Sequence, residues 1–513
     1  MCGIAAEYGH SESDDAQAML DRIAHRGPDG EGLVRLDHAW LGHRRLSIVD
    51  LEGGSQPLER DHPSEEHEMW LVGNGEIYNH EGLRESLEDH IFSSRSDNEV
   101  ALHLMSERGP DALAELIGMY AFCAAGTEGQ FVAARDPVGI KPLYWAKRNG
   151  SVRFASEMRA FDAEWLPHVE VFPPGHHWTP EDGLQRFANA VPAGATEAVE
   201  GPTDAGAEAP DDVLVKTREV LIQAVDRRLM ADVPVGVFLS GGLDSSLIAA
   251  IAARRLAERG ETLKTFAVGV EGSADIVAAR VVAEYLGTEH RECTYTASEA
   301  HEILPEVVRS IESFDPSLVR SAVPNYMLAR FTAQHVKVVL TGEGADELFA
   351  GYEYLREHQG EPQVLQDELV RIVHGLHDLN LQRCDRVTMA HGLEARVPFL
   401  DRDVVEHCLS LPTGWKFAGP DQQEKRLLRR AFNDWLPEEI LWRGKEQFGD
   451  GSGAADVLTA EIEESISDEE FEDERDQLDP PVRSKEELAY FRILREHLPG
   501  LQADQTIGRF ATV

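Results

Sequence analysis

The chain has 513 residues, 42% of them hydrophobic, with 43 Gly and 25 Pro, which excludes a single small module, a collagen-like fibre and a wholly disordered polymer. Ninety-two acidic residues against 49 basic ones leave a net charge of −43. Such a surface repels phosphate backbones and anionic lipid, so neither nucleic acid nor a membrane is expected as a partner.

An acid-rich surface stays hydrated and dispersed in concentrated salt, where charge is screened over about 3 Å at 1 M, and a salt-rich cytoplasm is the expected setting. No run of about 18 apolar residues is present. The opening MCGIAAEYGHSESDD has neither a basic start nor a long apolar stretch, so neither a leader nor a span is expected. Cys2, Cys123, Cys293, Cys384 and Cys408 are scattered and include no CxxC pair, which fits a reducing, cytoplasmic location.

From Met1 to about Phe187, short apolar runs alternate with turn signals, as in MWLVGNGEIYN, FVAARDP, PLYWAKRNG and SVRFASE. This predicts a β-rich first domain. Residues 188–212 are almost wholly Ala, Gly, Pro, Thr, Asp and Glu and read as an acidic linker too poor in apolar surface to order itself. Over 213–513 the rhythm becomes strand then helix, in VPVGVFLS, SLIAAIAARRLAERG, TFAVGV, DIVAARVVAEYLG and VKVVLTG. Strands apolar on both faces alternating with helices predict a doubly wound parallel α/β sheet. Ligands of such sheets sit beyond the carboxyl ends of the strands, which directs attention to the loops after Leu239 and Leu340. The acidic stretch 460–482 reads as solvated surface or partial disorder.

The first chemical signal is Cys2. Loss of the initiator would leave a thiol beside its own α-amine, whose ordinary pKa of about 7.7 to 8.0 suits a general base. An ordinary cysteine near a terminus is the plainer alternative. Three later segments bear on the choice. Arg45 offers a fork for a carboxylate, Asn74 and Gly75 offer an amide and a backbone N–H for an oxyanion, and the Ser96–Glu99 run offers an acceptor for an ammonium. Asn-Gly is also a common hairpin turn, and arginines at strand ends are commonly solvated.

Taken in order with RGPDG (26–30) and RDPVGIKPLY (135–144), these segments resemble the N-terminal-nucleophile glutamine amidotransferase domain. The resemblance implies an α+β fold for residues 1–187, an αββα sandwich of antiparallel sheets. It implies that Cys2 attacks the amide carbon of glutamine and that Asn74 and Gly75 hold the oxyanion. Arg45 would take the α-carboxylate on a loop continued by Leu46, Ser47, Ile48 and Val49, and Glu76 with Asp97 the α-amine.

The second signal is Ser240-Gly241-Gly242-Leu243-Asp244-Ser245-Ser246, which follows an apolar strand and opens a helix. Paired glycines let backbone N–H groups close on an anion, the helix terminus adds positive potential, and the hydroxyls donate to phosphate. A serine-capped turn would account for any three of these residues but poorly for seven. The motif resembles the loop of ATP pyrophosphatases, which implies contacts from Phe238 and Val268 to adenine and a magnesium ligand in Asp244. Thr341-Gly342-Glu343-Gly344-Ala345-Asp346-Glu347 brings three carboxylates to the same sheet edge.

The two halves in this order, together with FDPSLVRSAVPNYMLAR, GEGADELFAGY, DRVTMAHGLEARVPFLD, RGKEQFGDGSG and SKEELAYFRILRE, resemble the glutamine-hydrolysing asparagine synthetases. That resemblance implies glutamine, aspartate and ATP as substrates, Mg2+ as cofactor, and adenylation of aspartate before amination. It further implies Glu343 as general base toward the nitrogen, Asp346 as a second metal carboxylate and Lys445 as the cation facing pyrophosphate. Arg396 and Arg320 stay open between substrate contact and structural ion pair, and a homodimer stays open too. The rivals are a β-lactam-forming synthetase, an amidotransferase of the same architecture acting on a peptide or cell-wall carboxylate, and a non-catalytic glutamine or nucleotide sensor.

Overall fold

The computed structural model describes residues 2–9, 15–60, 68–88, 90–204, 206–417, 419, 422–444, 462–463 and 465–510. Its first twelve strands are β1 (Gly3–Tyr8), β2 (Gly30–Arg35), β3 (Ala39–Arg45), β4 (Leu58–Arg60), β5 (Met69–Ile77), β6 (Gly118–Gly126), β7 (Phe131–Arg135), β8 (Tyr144–Arg148), β9 (Ser151–Ala155), β10 (Val169–Val171), β11 (His176–Thr179) and β12 (Gly183–Arg186). They form two six-stranded sheets, in the orders β10-β8-β9-β1-β3-β2 and β12-β11-β7-β6-β5-β4, with every pairing between neighbouring strands antiparallel.

The period-two alternation of side chains explains how the sheets stack. Ala121, Cys123 and Ala125 of β6 face the other sheet and meet Ile4, Ala6 and Leu41. Tyr120, Phe122 and Ala124 face the opposite way, onto Val100, Leu102 and Leu104 of the Glu99–Arg108 helix. The Asp15–Arg22 helix covers the other outer face with Met19 and Leu20 against Ala5 and Trp40. The result is the expected αββα sandwich. Burial on both faces is why these antiparallel strands read as continuous apolar runs.

The remaining strands, β13 (Val235–Phe238), β14 (Lys264–Gly269), β15 (Glu289–Thr294), β16 (Val338–Leu340) and β17 (Glu394–Arg396), pair in parallel in the order β15-β14-β13-β16-β17. The order reverses between β13 and β16, so the crevice at their carboxyl ends is the ligand position of a doubly wound sheet. Both loops flagged in the sequence, after Leu239 and after Leu340, open there.

Residues 188–212 differ from the expectation of a segment that cannot order itself. Val191, Ala195 and Ala209 are buried, and the Asp211–Arg228 helix already begins within the segment. Backbone groups supply what the composition lacks. Gln366 Nε2 donates to Ala195 O (2.6 Å), Gly414 N to Pro202 O (2.9 Å) and Gly206 N to Phe417 O (2.9 Å), so the strand of small residues is tied along the second domain. In the acidic stretch the Asp468–Glu474 helix starts with a capping box at Ser467 and buries no residue, while Ile462, Ile466 and Val482 on either side of it are buried and anchor the stretch to the core.

Candidate active site

Cys2 immediately precedes β1, an interior strand of its sheet, and is 8% exposed. Its backbone N donates to Asn74 Oδ1 at 3.0 Å, which fixes the amide of Asn74 with Nδ2 turned away. That Nδ2 is fully buried and has no hydrogen-bond acceptor. A buried orphan donor beside a thiol is the geometry an oxyanion needs, since it costs stability until a ligand accepts from it. Gly75 follows at φ +150, and a Cβ there would lie 1.9 Å from Met119 O on β6, so only glycine fits. Asn98 Nδ2 donates to Gly75 O (3.0 Å) and holds the peptide in place. Burial raises the Cys2 thiol above its ordinary pKa, so the thiolate needs a base close by.

The proposed glutamine loop is organised by Arg45. Its guanidinium donates to Leu51 O (3.2 Å) and Asp50 O (2.6 Å), which shapes the turn after Leu46, Ser47, Ile48 and Val49. Leu46 and Ile48 are buried, while Ser47 and Val49 are partly exposed at the loop surface. Asp97 accepts from Ile77 N at 2.6 Å. Burial raises the pKa of Asp97, and burial with the neighbouring Glu394 and Asp97 raises that of Glu76 further. Two buried acids side by side, whose pKa values burial raises, are a suitable receiver for an α-ammonium.

This site backs directly onto the second domain. Arg396 of β17 reaches Glu76 Oε1 across the boundary (3.4 Å), while Thr341 N, at the start of the carboxylate loop, donates to Arg396 O (2.9 Å). A single short strand therefore touches both sites. Arg396 itself is fully buried, paired with Glu394 and donating to the carbonyls of Arg228 and Met230, which is the structural of its two expected roles. Arg320 likewise pairs with Glu486 of the C-terminal helix.

At the switch point, Gly241 adopts φ +73 and a Cβ would meet Ala278 at 2.5 Å, so the loop folds tightly onto its neighbouring helix. Ser240 Oγ and Ser245 Oγ lie 3.1 Å apart, and the Leu243–Glu258 helix starts over the loop, with Gly242 at its N-cap and Asp244, Ser245 and Ser246 in its first turn. Phe238 ends β13 and Val268 is the last residue but one of β14, the adjacent parallel strand. Gly342 faces the nest from the other strand, its position 2.9 Å from Asp244 Cβ when a Cβ is added. The residues proposed for ATP are thus gathered in one crevice.

Asp244 Oδ2 and Asp346 Oδ1 lie 2.5 Å and 2.8 Å from one point, the Nζ of Lys425. Two carboxylates from separate loops, next to a polyphosphate nest, fit the way Mg2+ is held, by one or two carboxylates with substrate phosphates completing the shell. Among the described residues no group of three or more His, Cys, Asp or Glu could hold a metal alone. Glu343 pairs with Arg383, whose other branch donates to Ser321 Oγ (2.8 Å). Glu347 points elsewhere, accepting from Tyr352 OH (2.5 Å), and burial pushes its pKa up to about 7. Lys445 lies outside the described residues.

Sequence reasoning missed three residues. Lys425 and Arg383 carry no local signal, one lying before a basic helix and the other among ordinary helical residues. Arg26, quoted only as part of RGPDG, donates to Cys2 O (3.1 Å) and grips Asp385 across the domain boundary (2.8 and 3.2 Å). Asp385 shares its helix, Asn380–Met389, with Arg383, so one helix is tied to the nucleophile residue at one position and to Glu343 at another.

A buried thiol at the second residue with an orphan amide donor in an αββα sandwich, joined to a phosphate nest in a doubly wound sheet, defines a two-domain glutamine amidotransferase with a nucleotide-dependent partner domain. Residues 1–173 match the glutamine amidotransferase domain model, and 216–366 with 357–509 match the asparagine synthase model. The glutamine-hydrolysing asparagine synthetase of Asparagus officinalis is 41% identical over 91% of this chain and 80% of its own. One from Arabidopsis thaliana is 41% identical over 88% and 79%, and a probable asparagine synthetase from Dictyostelium discoideum is 36% identical over 99% and 96%. The chain belongs to the glutamine-hydrolysing asparagine synthetase family.

Proposed function

We propose that this chain is a glutamine-dependent asparagine synthetase, an ATP-dependent carbon–nitrogen ligase, with a glutaminase domain at 1–187, a connecting segment at 188–212 and a synthetase domain at 213–513. The observation that carries the reading is the buried, acceptorless Asn74 Nδ2 beside Cys2. An unsatisfied donor at the residue that holds the Cys2 backbone fits a working glutaminase, and Cys2, Asn74, Gly75 and Asp97 are all present.

With Met1 removed, the Cys2 amine takes the thiol proton and the sulfur attacks the amide carbon of glutamine. Asn74 Nδ2 and Gly75 N–H stabilise the oxyanion, the amine returns the proton to the leaving nitrogen, and ammonia departs as a thioester forms. Water then hydrolyses the thioester to glutamate. In the second domain the β-carboxylate of aspartate attacks the α-phosphorus of ATP, forming β-aspartyl-AMP and releasing pyrophosphate into the Ser240–Ser246 nest. Asp244 and Asp346 would hold magnesium, which would supply charge neutralisation for the phosphates. Ammonia attacks the acyl carbon, Glu343 accepts a proton from the nitrogen, and AMP leaves as asparagine forms. Ammonium has no lone pair for this attack, so the nitrogen must cross unprotonated, and the contact of Glu76 with β17 supports a short internal route between the sites.

The purified chain given ATP, Mg2+, aspartate and glutamine labelled with 15N in its amide is expected to release AMP and pyrophosphate and to place the label in asparagine. ADP with phosphate, or no label in asparagine, would overturn the reading. Running the same assay with other carboxylates separates it from an amidotransferase for peptides or cell-wall precursors.

Among the described residues no helix is long and apolar enough to cross a membrane. The net charge of −43 supports an enzyme adapted to high salt. Its activity and Tm are expected to fall on dialysis to low salt, where unscreened self-repulsion works against the compact state; an enzyme indifferent to salt contradicts the adaptation.

A further inference from the structure

Between the two carboxylates assigned to magnesium lies an ammonium group. Lys425 Nζ contacts Asp244 Oδ2 and Asp346 Oδ1, and the side chain is 4% exposed. The two carboxylates, at 2.5 Å and 2.8 Å from the ammonium, supply its counter-charge inside the fold. The backbone is arranged around this contact at some cost. Lys425 is left-handed, at φ +57 and ψ 34, a conformation that a residue with a Cβ seldom adopts. Gly351 approaches so closely that a Cβ there would lie 2.1 Å from Asp346 Oδ1 and 2.3 Å from Lys425 Cε. Three separate segments, at 244, at 346–351 and at 425, therefore close on one buried cation.

We propose that Lys425 occupies the metal position of the nucleotide-free enzyme and makes magnesium entry conditional on ATP; this rests on the reading of Asp244 and Asp346 as metal carboxylates. An ammonium and a divalent ion cannot share the space between two carboxylates. Free Mg2+ would have to expel a buried cation that has nowhere favourable to go, since an unpaired charge in this environment is costly. Mg2+ arriving with ATP brings phosphate oxygens at the adjoining nest, and the displaced ammonium turns to them. The lysine thus balances the acids when the crevice is empty and the pyrophosphate when it is full. The same device explains why two acids can be kept beside a polyanion site without repelling each other in the empty enzyme.

Mn2+ binding, followed by its electron paramagnetic resonance signal in the nucleotide-free full chain, tests this without reference to turnover. Wild type is expected to take up Mn2+ at this site only when a non-hydrolysable ATP analogue is added. Lys425→Met should bind Mn2+ without nucleotide at least about tenfold more tightly than wild type, because an opposing charge within contact distance has been removed. Adding Asp346→Asn to Lys425→Met should abolish that gain, which separates it from binding to the acidic surface. Lys425→Arg keeps the cation and should behave as wild type. Should Lys425→Met fail to fold, Lys425→Gln removes the charge while retaining a polar contact for the acids. Equal nucleotide-free affinity in wild type and the neutral variants would overturn the role of the lysine. Failure of wild type to gain Mn2+ even with the ATP analogue would overturn the metal assignment beneath it.

Discussion

Cys2→Ala is expected to eliminate glutamine-dependent asparagine formation, with a loss of roughly 10^4-fold or more in glutaminase turnover as for removal of other catalytic nucleophiles, while synthesis from ammonium salts continues at the wild-type rate. The asymmetry follows from the architecture. Cys2 lies in the sandwich, where its Sγ faces the carbonyl of Leu46 at 3.9 Å, while the phosphate and carboxylate loops follow strands of the other, parallel sheet. The fold should tolerate the change, since Cys2 N still donates to Asn74 Oδ1 and Arg26 still donates to Cys2 O. The measurement is paired assays of glutamate release and asparagine formation, with either nitrogen source. Equal loss from both sources would contradict the division of labour between the domains. Intact mass of the wild-type protein is the companion measurement, because a retained Met1 would acylate the amine that the mechanism uses as its base.

The two kinds of sheet were legible from different signals. Short apolar runs between turns marked the first domain as β-rich, with its layering implied by the resemblance, while the β13 run, apolar on both faces and followed by a helix, marked the parallel sheet after residue 213. The nest was legible because SGGLDSS requires neither partner nor distance: glycine freedom, a helix start and hydroxyls are all local. What stayed hidden is uniformly non-local. The segment 188–212 has the composition of a disordered tether, yet it is ordered by backbone donors and acceptors, which composition does not register. Arg26 and Asp385 are 359 residues apart, each inside a motif whose purpose is invisible until they meet. Lys425 looks like any lysine before a basic helix, and only the convergence of Asp244 and Asp346 gives it a task.

The same contrast explains the charged residues that resemblance could not assign. A guanidinium in a sequence can be solvated, hold substrate or fill a buried network, and the three are indistinguishable without neighbours. Arg396 and Arg320 prove to be held by Glu394 and Glu486. Arg45, expected to meet a carboxylate, is engaged with the carbonyls of its own loop, so its contribution to glutamine binding would include the shape of that loop as well as any direct contact. The SKEELAYFRILRE run gains a physical reason as well. Glu486 receives both Arg320 and Tyr490 OH, which locks the C-terminal helix against the Pro316–Thr332 helix.

Glu343→Ala should abolish asparagine formation from either nitrogen source and leave glutamine hydrolysis unchanged, the mirror image of the Cys2 variant. Loss of a positioned general base costs typically 10^2 to 10^4-fold. A purely structural explanation is available, because Arg383 is only 12% exposed and Glu343 is its ion-pair partner; removing the acid leaves a guanidinium short of a counter-charge. Glu343→Gln separates the two effects. The amide still accepts from Arg383 and keeps its geometry, but it cannot take a proton. If Glu343 acts on the attacking nitrogen, the Gln variant should still catalyse exchange of labelled pyrophosphate into ATP in the presence of aspartate, because adenylation precedes the step it has lost. Amination alone should fail. Recovery of full asparagine synthesis in the Gln variant would assign Glu343 to holding Arg383 in place, and loss of the exchange reaction together with amination would move its role back to the formation of the adenylate.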